Sequence, residues 1–325
     1  MPKPSPTEVA LARIREIRLA PEQFDLRRDL ASFFHHKSNH VIAAAAKVVQ
    51  LHESAPLIQD LIAAALALFP QSAQRDPGCK ALIAIAEALV AMGENAPEVY
   101  IKGVHLVQKE GSFGPPVDVA APLRGLCARG LVRMRHAEAL YEVVALLGDP
   151  EVGARIGAVQ ALADSNSRES ELLLRLKVVQ GDLEAEVLGA CFSALLGIAP
   201  ARSCAFVAEY LEGRNGALVE TAALALGEAR LPAAFNPLRD AWSTHRGASV
   251  RRTLLLSIAM LRQDEGVEFL LTRLQQDPET AAMDALEALM LYRSDAAIRA
   301  RVREIAAARQ LPKLGPAVHR EWQDD

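Results

Sequence analysis

GDPEVGARIGAVQAL, residues 148–162, joins a tight turn to an amphipathic helix, and its reading decides the fold. Asp149 is suited to cap a helix N-terminus, because its carboxylate can accept the unpaired amide protons of the first turn. Pro150 suits the first helical position, where no donor is needed. Val152, Ile156, Val159 and Leu162 then recur at spacings of four and three, which puts them on one face. Ala154, Ala158 and Ala161 stand beside them and let another helix come close. A helix with such a face needs a neighbour, and the same turn-then-helix pattern returns on either side of it.

Composition agrees with stacked helices. Hydrophobic residues make up 51% of the 325-residue chain and aromatics only 5%, so the apolar mass is Ala, Leu, Val and Ile. An all-α protein is expected. The formal net charge of -4 provides no general positive field, which argues against sequence-independent attraction of the whole molecule to nucleic acid or anionic lipid. Cys79, Cys127, Cys191 and Cys204 lie far apart and form no C-x-x-C pair, so buried, reduced thiols are expected. The opening MPKPSPTE lacks the apolar core of a signal peptide, and LIAAALALF (61–69) is too short to span a bilayer. A cytoplasmic location with no membrane partner is the expectation.

Residues 1–20 read as a flexible start and a capping helix, 21–309 as one continuous repeat array, and 310–325 as a loosely held tail. Within the array, EQFDLRRDLASFF (22–34) and HVIAAAAKVV form a first helix pair. APLIQDLIAAALALF and DPGCKALIAIAEALVAM form a second, with Asp76 and Pro77 again in the cap and first-turn positions. APEVYIKGVHLVQK (96–109) is the next first helix, but the connection EGSFGPPVD that follows is longer than the other turns and reads as an inserted loop. DVAAPLRGLCARGLV resumes the pattern, with Pro122 near its first turn. The first inward positions of the second helices are Val41, Leu82, Val119, Val152, Val187, Val219, Val250 and Ala282. They lie 41, 37, 33, 35, 32, 31 and 32 residues apart, the spacing of stacked helix pairs.

LLGDPEVGARIGAVQALA, RGASVRRTLLLSIAML and ALVETAALALGEA together resemble the HEAT-repeat family, in particular its bacterial short-repeat branch also found in phycobilisome lyases. The resemblance covers about residues 22 to 309 and is sharpest after residue 136. It implies an α-solenoid, a superhelix of about eight HEAT-like antiparallel helix pairs, whose second helices line a concave surface that holds other macromolecules. The family pattern sets Asp in the inter-helix turn and Arg just after the first Val of the second helix, where they pair between repeats. Asp149 and Arg251 match it, whereas Gly153, Leu188 and Glu220 stand where that Arg is usual, so an interrupted Asp–Arg ladder is expected.

Residues able to carry chemistry are few. HHKSNH (35–40) offers three imidazoles, but Ser38 or Asn39 reads as a cap between His36 and His40, and no acidic residue or cysteine stands nearby. HEAT-fold hydroxylases hold two irons with four His-Glu dyads, and this chain has one, His52-Glu53. No G-x-S-x-G, Gly-rich phosphate loop or H-E-x-x-H occurs. No metal, cofactor or enzymatic activity is therefore expected. Four residues are the binding candidates. Phe113 lies between glycines in the insert, and Arg155, Arg251 and Arg252 lie on second helices, where guanidinium groups suit phosphate or carboxylate partners. Glu220, Asp284 and Glu287 make the same face mixed in sign. The expected function is a non-enzymatic scaffold or adaptor that binds another protein through the concave face or the insert loop. The alternative is a nucleic-acid-binding solenoid of the DNA glycosylase type, a comparison invited by Trp242, although a wedge between repeats is the plainer role for that side chain.

Overall fold

The structure, a computed structural model, describes residues 4–111, 114–309 and 311–322. The fold is all-α, with a single two-stranded β-hairpin among the described residues. The chain divides into two compact units, Met1–Leu173 and Leu174–Asp325. The first contains α1 (Pro6–Leu19), α2 (Leu26–Leu30), α3 (Asn39–Leu51), α4 (Ile58–Leu68), α5 (Ser72–Arg75), α6 (Lys80–Ala91) and α7 (Pro97–Val104). It continues with β1 (Lys109–Glu110), β2 (Val117–Asp118), α8 (Ala121–Arg133), α9 (Ala139–Leu147) and α10 (Val152–Ser165). The division falls inside α11 (Arg168–Gln180). The second unit continues with α12 (Ala185–Ile198), α13 (Pro200–Ala208), α14 (Gly216–Ala229), α15 (Phe235–Thr244) and α16 (Ala248–Met260). It ends with α17 (Asp264–Gln276), α18 (Glu279–Leu289), α19 (Ala296–Arg309) and α20 (Leu314–Glu321). No helix among the described residues is long and apolar enough to cross a membrane.

In the first unit the second helices α3, α6, α8 and α10 pack on one another in series, while α4, α7 and α9 pack against them from one side. Val41, Leu82, Ala158 and Leu162 are buried at these contacts. α8 and α10 approach closely, so that a Cβ added to Gly157 would stand 2.3 Å from the Cα of Gly125. Two helices meet there backbone to backbone, a separation that no larger residue permits. The second unit repeats the scheme with α12, α14, α16 and α18 in series, and Val187, Val219, Leu254 and Ala282 are buried.

A continuous chain of hydrogen bonds runs through the turns that open the second helices of the first unit. Asn39 Nδ2 donates to Asp76 Oδ1 at 2.9 Å, and the Asp76 carboxylate accepts the amides of Ala81 and Leu82 at the head of α6. Gln108 Nε2 donates to the Asp76 carbonyl at 3.0 Å, and its backbone N–H donates to Asp118 Oδ1. Arg124, 3% exposed, donates from Nη1 to Asp118 at 2.7 Å and to the Leu106 carbonyl. Its Nε and Nη2 form a two-pronged pair with Asp149, each bond 2.9 Å. Arg155 Nη1 closes the series on the carbonyls of Asp149 and Pro150.

These bonds correct several expectations. Asp149 is not the N-cap of α10, which begins at Val152 with Glu151 in the cap position; its carboxylate accepts the Glu151 amide at 2.8 Å and both prongs of Arg124. The arginine that serves Asp149 is Arg124 of the preceding second helix, not one placed just after the first Val of α10. The insert is a hairpin, with Lys109 opposite Asp118 and Glu110 opposite Val117, and α7 stops at Val104 instead of continuing to residue 109. Glu110 fixes the base of the hairpin by accepting the Gly78 amide and Gln108 Nε2, both at 2.7 Å. Residues 311–322 are not a loose tail, because α20 packs on α18 and α19 and buries Leu314, Val318 and Trp322.

Burial alone would push the Asp118 carboxyl up, but the hydrogen bonds from Arg124 and from the amides of Gln108 and Ala120 hold it below the usual carboxylate range. The stability this group contributes is complete above its unfolded pKa of about 3.9 and is lost as pH falls through the lower folded value. Urea midpoints measured from pH 6 downward are therefore expected to fall more steeply below about pH 4 for the native sequence than for Asp118→Asn. Removing the buried guanidinium with Arg124→Ala is expected to cost about 3–5 kcal/mol at neutral pH in the same assay.

Candidate functional site

A cleft of about 1140 Å³ lies in the second unit. Its walls are first helices, α13 with the 3-10 turn Glu209–Glu212 on one side and α15 on the other. The sequence around it explains why the space is open. Where the first unit has Asp and Arg in its inter-helix turns, this region has EGRNGA (212–217) and HRGAS (245–249), which lack any Asp to bridge to a neighbouring turn. Asn215 caps α14 by accepting the Leu218 amide, and Gly247 caps α16 with no side chain at all.

Ala205, Ala208, Leu211, Ala241 and Val250 give the cleft an apolar floor. Leu211, Ala241 and Val250 are buried by their own packing, so the floor is backed by the core. His245 ties the two sides at the base, since its Nε2–H donates to the Leu211 carbonyl at 2.6 Å. Above the floor the lining is polar: Glu209, Glu212, Arg214, Asn236 and Asp240. Asp240 is shared with Arg239 at 2.8 Å, a pair with side chains 43% and 65% exposed and hence exchangeable with solvent or ligand. Glu209 and Glu212 enter no ion pair among the described residues. The arrangement can take an apolar side chain and hold polar or charged groups around it. A groove on the second-helix face, between α3 and α6, measures only about 360 Å³ and mixes Lys47 and Lys80 with Glu87.

The residues singled out from sequence do not converge on one place. Phe113 lies outside the described residues. Arg155 belongs to the first unit, is 9% exposed, and spends its Nη1 on backbone carbonyls of the Asp149–Pro150 turn. Arg251 and Arg252 are neighbours on α16 but face different partners. The Arg251 guanidinium stacks 4.2 Å from the centre of the Trp242 ring, and Arg273 approaches the same ring at 5.4 Å. Trp242 is buried and meets Phe269 edge-on at 5.4 Å, which makes it the wedge between α15 and α17. Arg252 pairs with Asp284 at 3.1 Å on the neighbouring second helix, with Glu287 at 3.7 Å. His36 Nδ1 accepts the Ser38 amide, which ties that imidazole to its turn. Among the described residues no group of three or more His, Cys, Asp or Glu side chains is placed to hold a metal ion. The cleft itself escaped sequence reasoning, and its signal was the pair of glycine turns at 213–216 and 247.

All four cysteines are buried and unpaired. Burial pushes the Cys79 and Cys191 thiols up to about 12, and the Asp76 carboxylate adds to the effect at Cys79. Cys127 and Cys204 are raised by burial as well. The thiolate needed for attack is thus scarce at neutral pH. A colorimetric disulfide reagent at pH 8 is expected to leave the folded protein unreacted and to titrate all four thiols after unfolding. Stability measurements should also separate the two arginines of α16. Arg251→Ala is expected to lose about 0.5–2 kcal/mol of cation–π stacking, and Arg252→Ala, which breaks a solvent-exposed pair, less than Arg251→Ala. Set against known proteins, the chain matches no family model and no curated protein.

Proposed function

We propose that this chain is a cytoplasmic, non-enzymatic scaffold, a HEAT-like α-solenoid, that holds another protein by a short segment laid in the cleft between α13 and α15. The observation that carries this reading is the cleft, an apolar floor under a polar rim with walls made of packed helices. The repeat architecture draws support from the spacing of 31 or 32 residues between successive second helices after Val187 and from the serial packing of α12, α14, α16 and α18. Repeat proteins of this kind present rigid surfaces, so the segment bears most of the ordering cost. Burying one Leu-sized side chain on the floor is worth about 1.5–3 kcal/mol. With a few polar contacts added, the expected affinity is in the range of about 10–100 µM.

A nucleic-acid-binding solenoid would draw on Arg251 and Arg252, and both are engaged within the chain, one on Trp242 and the other on Asp284. The cleft is the better-supported site. Panning a displayed library of random dodecapeptides against the full chain tests the reading. Saturable clones are expected, and their binding should be lost when Ala208→Trp fills the floor, provided that circular dichroism shows the variant folded. Clones that bind the filled variant equally well, or a selection that yields no saturable clone, would overturn it.

A further inference from the structure

Resting on the reading of the α13–α15 cleft as a peptide groove, we infer that its occupant is a basic segment of a partner protein. Such a segment sets one Leu- or Met-sized side chain against Ala208, Leu211 and Val250 and its Lys or Arg groups against Glu209, Glu212 and Asp240. Glu209 and Glu212 open and close one 3-10 turn. Residues three apart in that geometry eclipse, so two like charges stand one above the other on the same side. Their repulsion is relieved by a cation from outside, because neither is paired among the described residues. Asp240 faces them from the wall formed by α15, and the Arg239 that shares it is exposed and replaceable. Arg214 is the opposing charge in the lining, which leaves the balance acidic. An acidic rim over an apolar floor discriminates by charge and speeds encounter with a basic partner, more than it adds raw affinity.

The test is the composition of the peptides selected on the intact chain, compared with those selected on the triple variant Glu209→Gln, Glu212→Gln, Asp240→Asn. These three side chains are exposed, so the variant keeps its fold. Clones displaced by Ala208→Trp are expected to be enriched in Lys and Arg around one large apolar residue. Their affinity is expected to fall about tenfold on the triple variant and to weaken between 0.05 and 0.5 M salt. Cleft-dependent clones that are neutral or acidic, or basic clones indifferent to the triple variant, would overturn the inference while the groove itself stood. No cleft-dependent clone would overturn both.

Discussion

The Arg124 guanidinium, almost fully enclosed between Asp118 and Asp149, is the contact on which the rest of the first unit depends. A buried charge is tolerated only when its donors are satisfied, and here Nε, Nη1 and Nη2 all find acceptors, including the Leu106 carbonyl. That demand fixes three things at once. It holds Asp149 in the turn before α10, Asp118 at the foot of the β-hairpin, and the Leu106 carbonyl just beyond the end of α7. The close seating of α8 on α10 at Gly125 and Gly157 lies between the same two helices, so apolar and polar constraints agree on one separation.

The second unit meets the same problem of joining helix to helix by a different route. Its inter-helix turns at 213–216 and 245–247 rely on glycine, asparagine and a histidine bonded to a carbonyl, and its best-placed aromatic, Trp242, is locked by Arg251, Arg273 and Phe269. With no carboxylate–guanidinium bridge across those turns, space remains between α13 and α15. The cleft is thus what is left when the polar filling of the first unit is not repeated. Its acidic rim comes from residues with no packing duty, which leaves them available for recognition.

Helix positions were legible in the sequence because they rest on local rules. The apolar spacing around Val41, Leu82, Val187 and Val219 marks faces that are buried in the fold. The wedge role of Trp242 could be read from its place at the end of a first helix. Pairings across repeats were harder. Nothing local announces that Asp149 belongs to Arg124, twenty-five residues earlier, because that choice depends on how two helices are turned about their axes. The charge of Arg251 is plain in the sequence, yet its stacking on Trp242 depends on a ring one helix away. The cleft was invisible for a related reason: it is defined by missing side chains at Gly213, Gly216 and Gly247, and short residues leave no periodic mark.

Within each unit every second helix rests on the one a single repeat away, about thirty to forty residues along the chain. Loops of that size close at modest entropic cost, and helices form faster than they dock. A nucleus can thus arise at any adjacent pair and grow by accretion of the next, so a polypeptide leaving the ribosome can begin to order before its last helices are made.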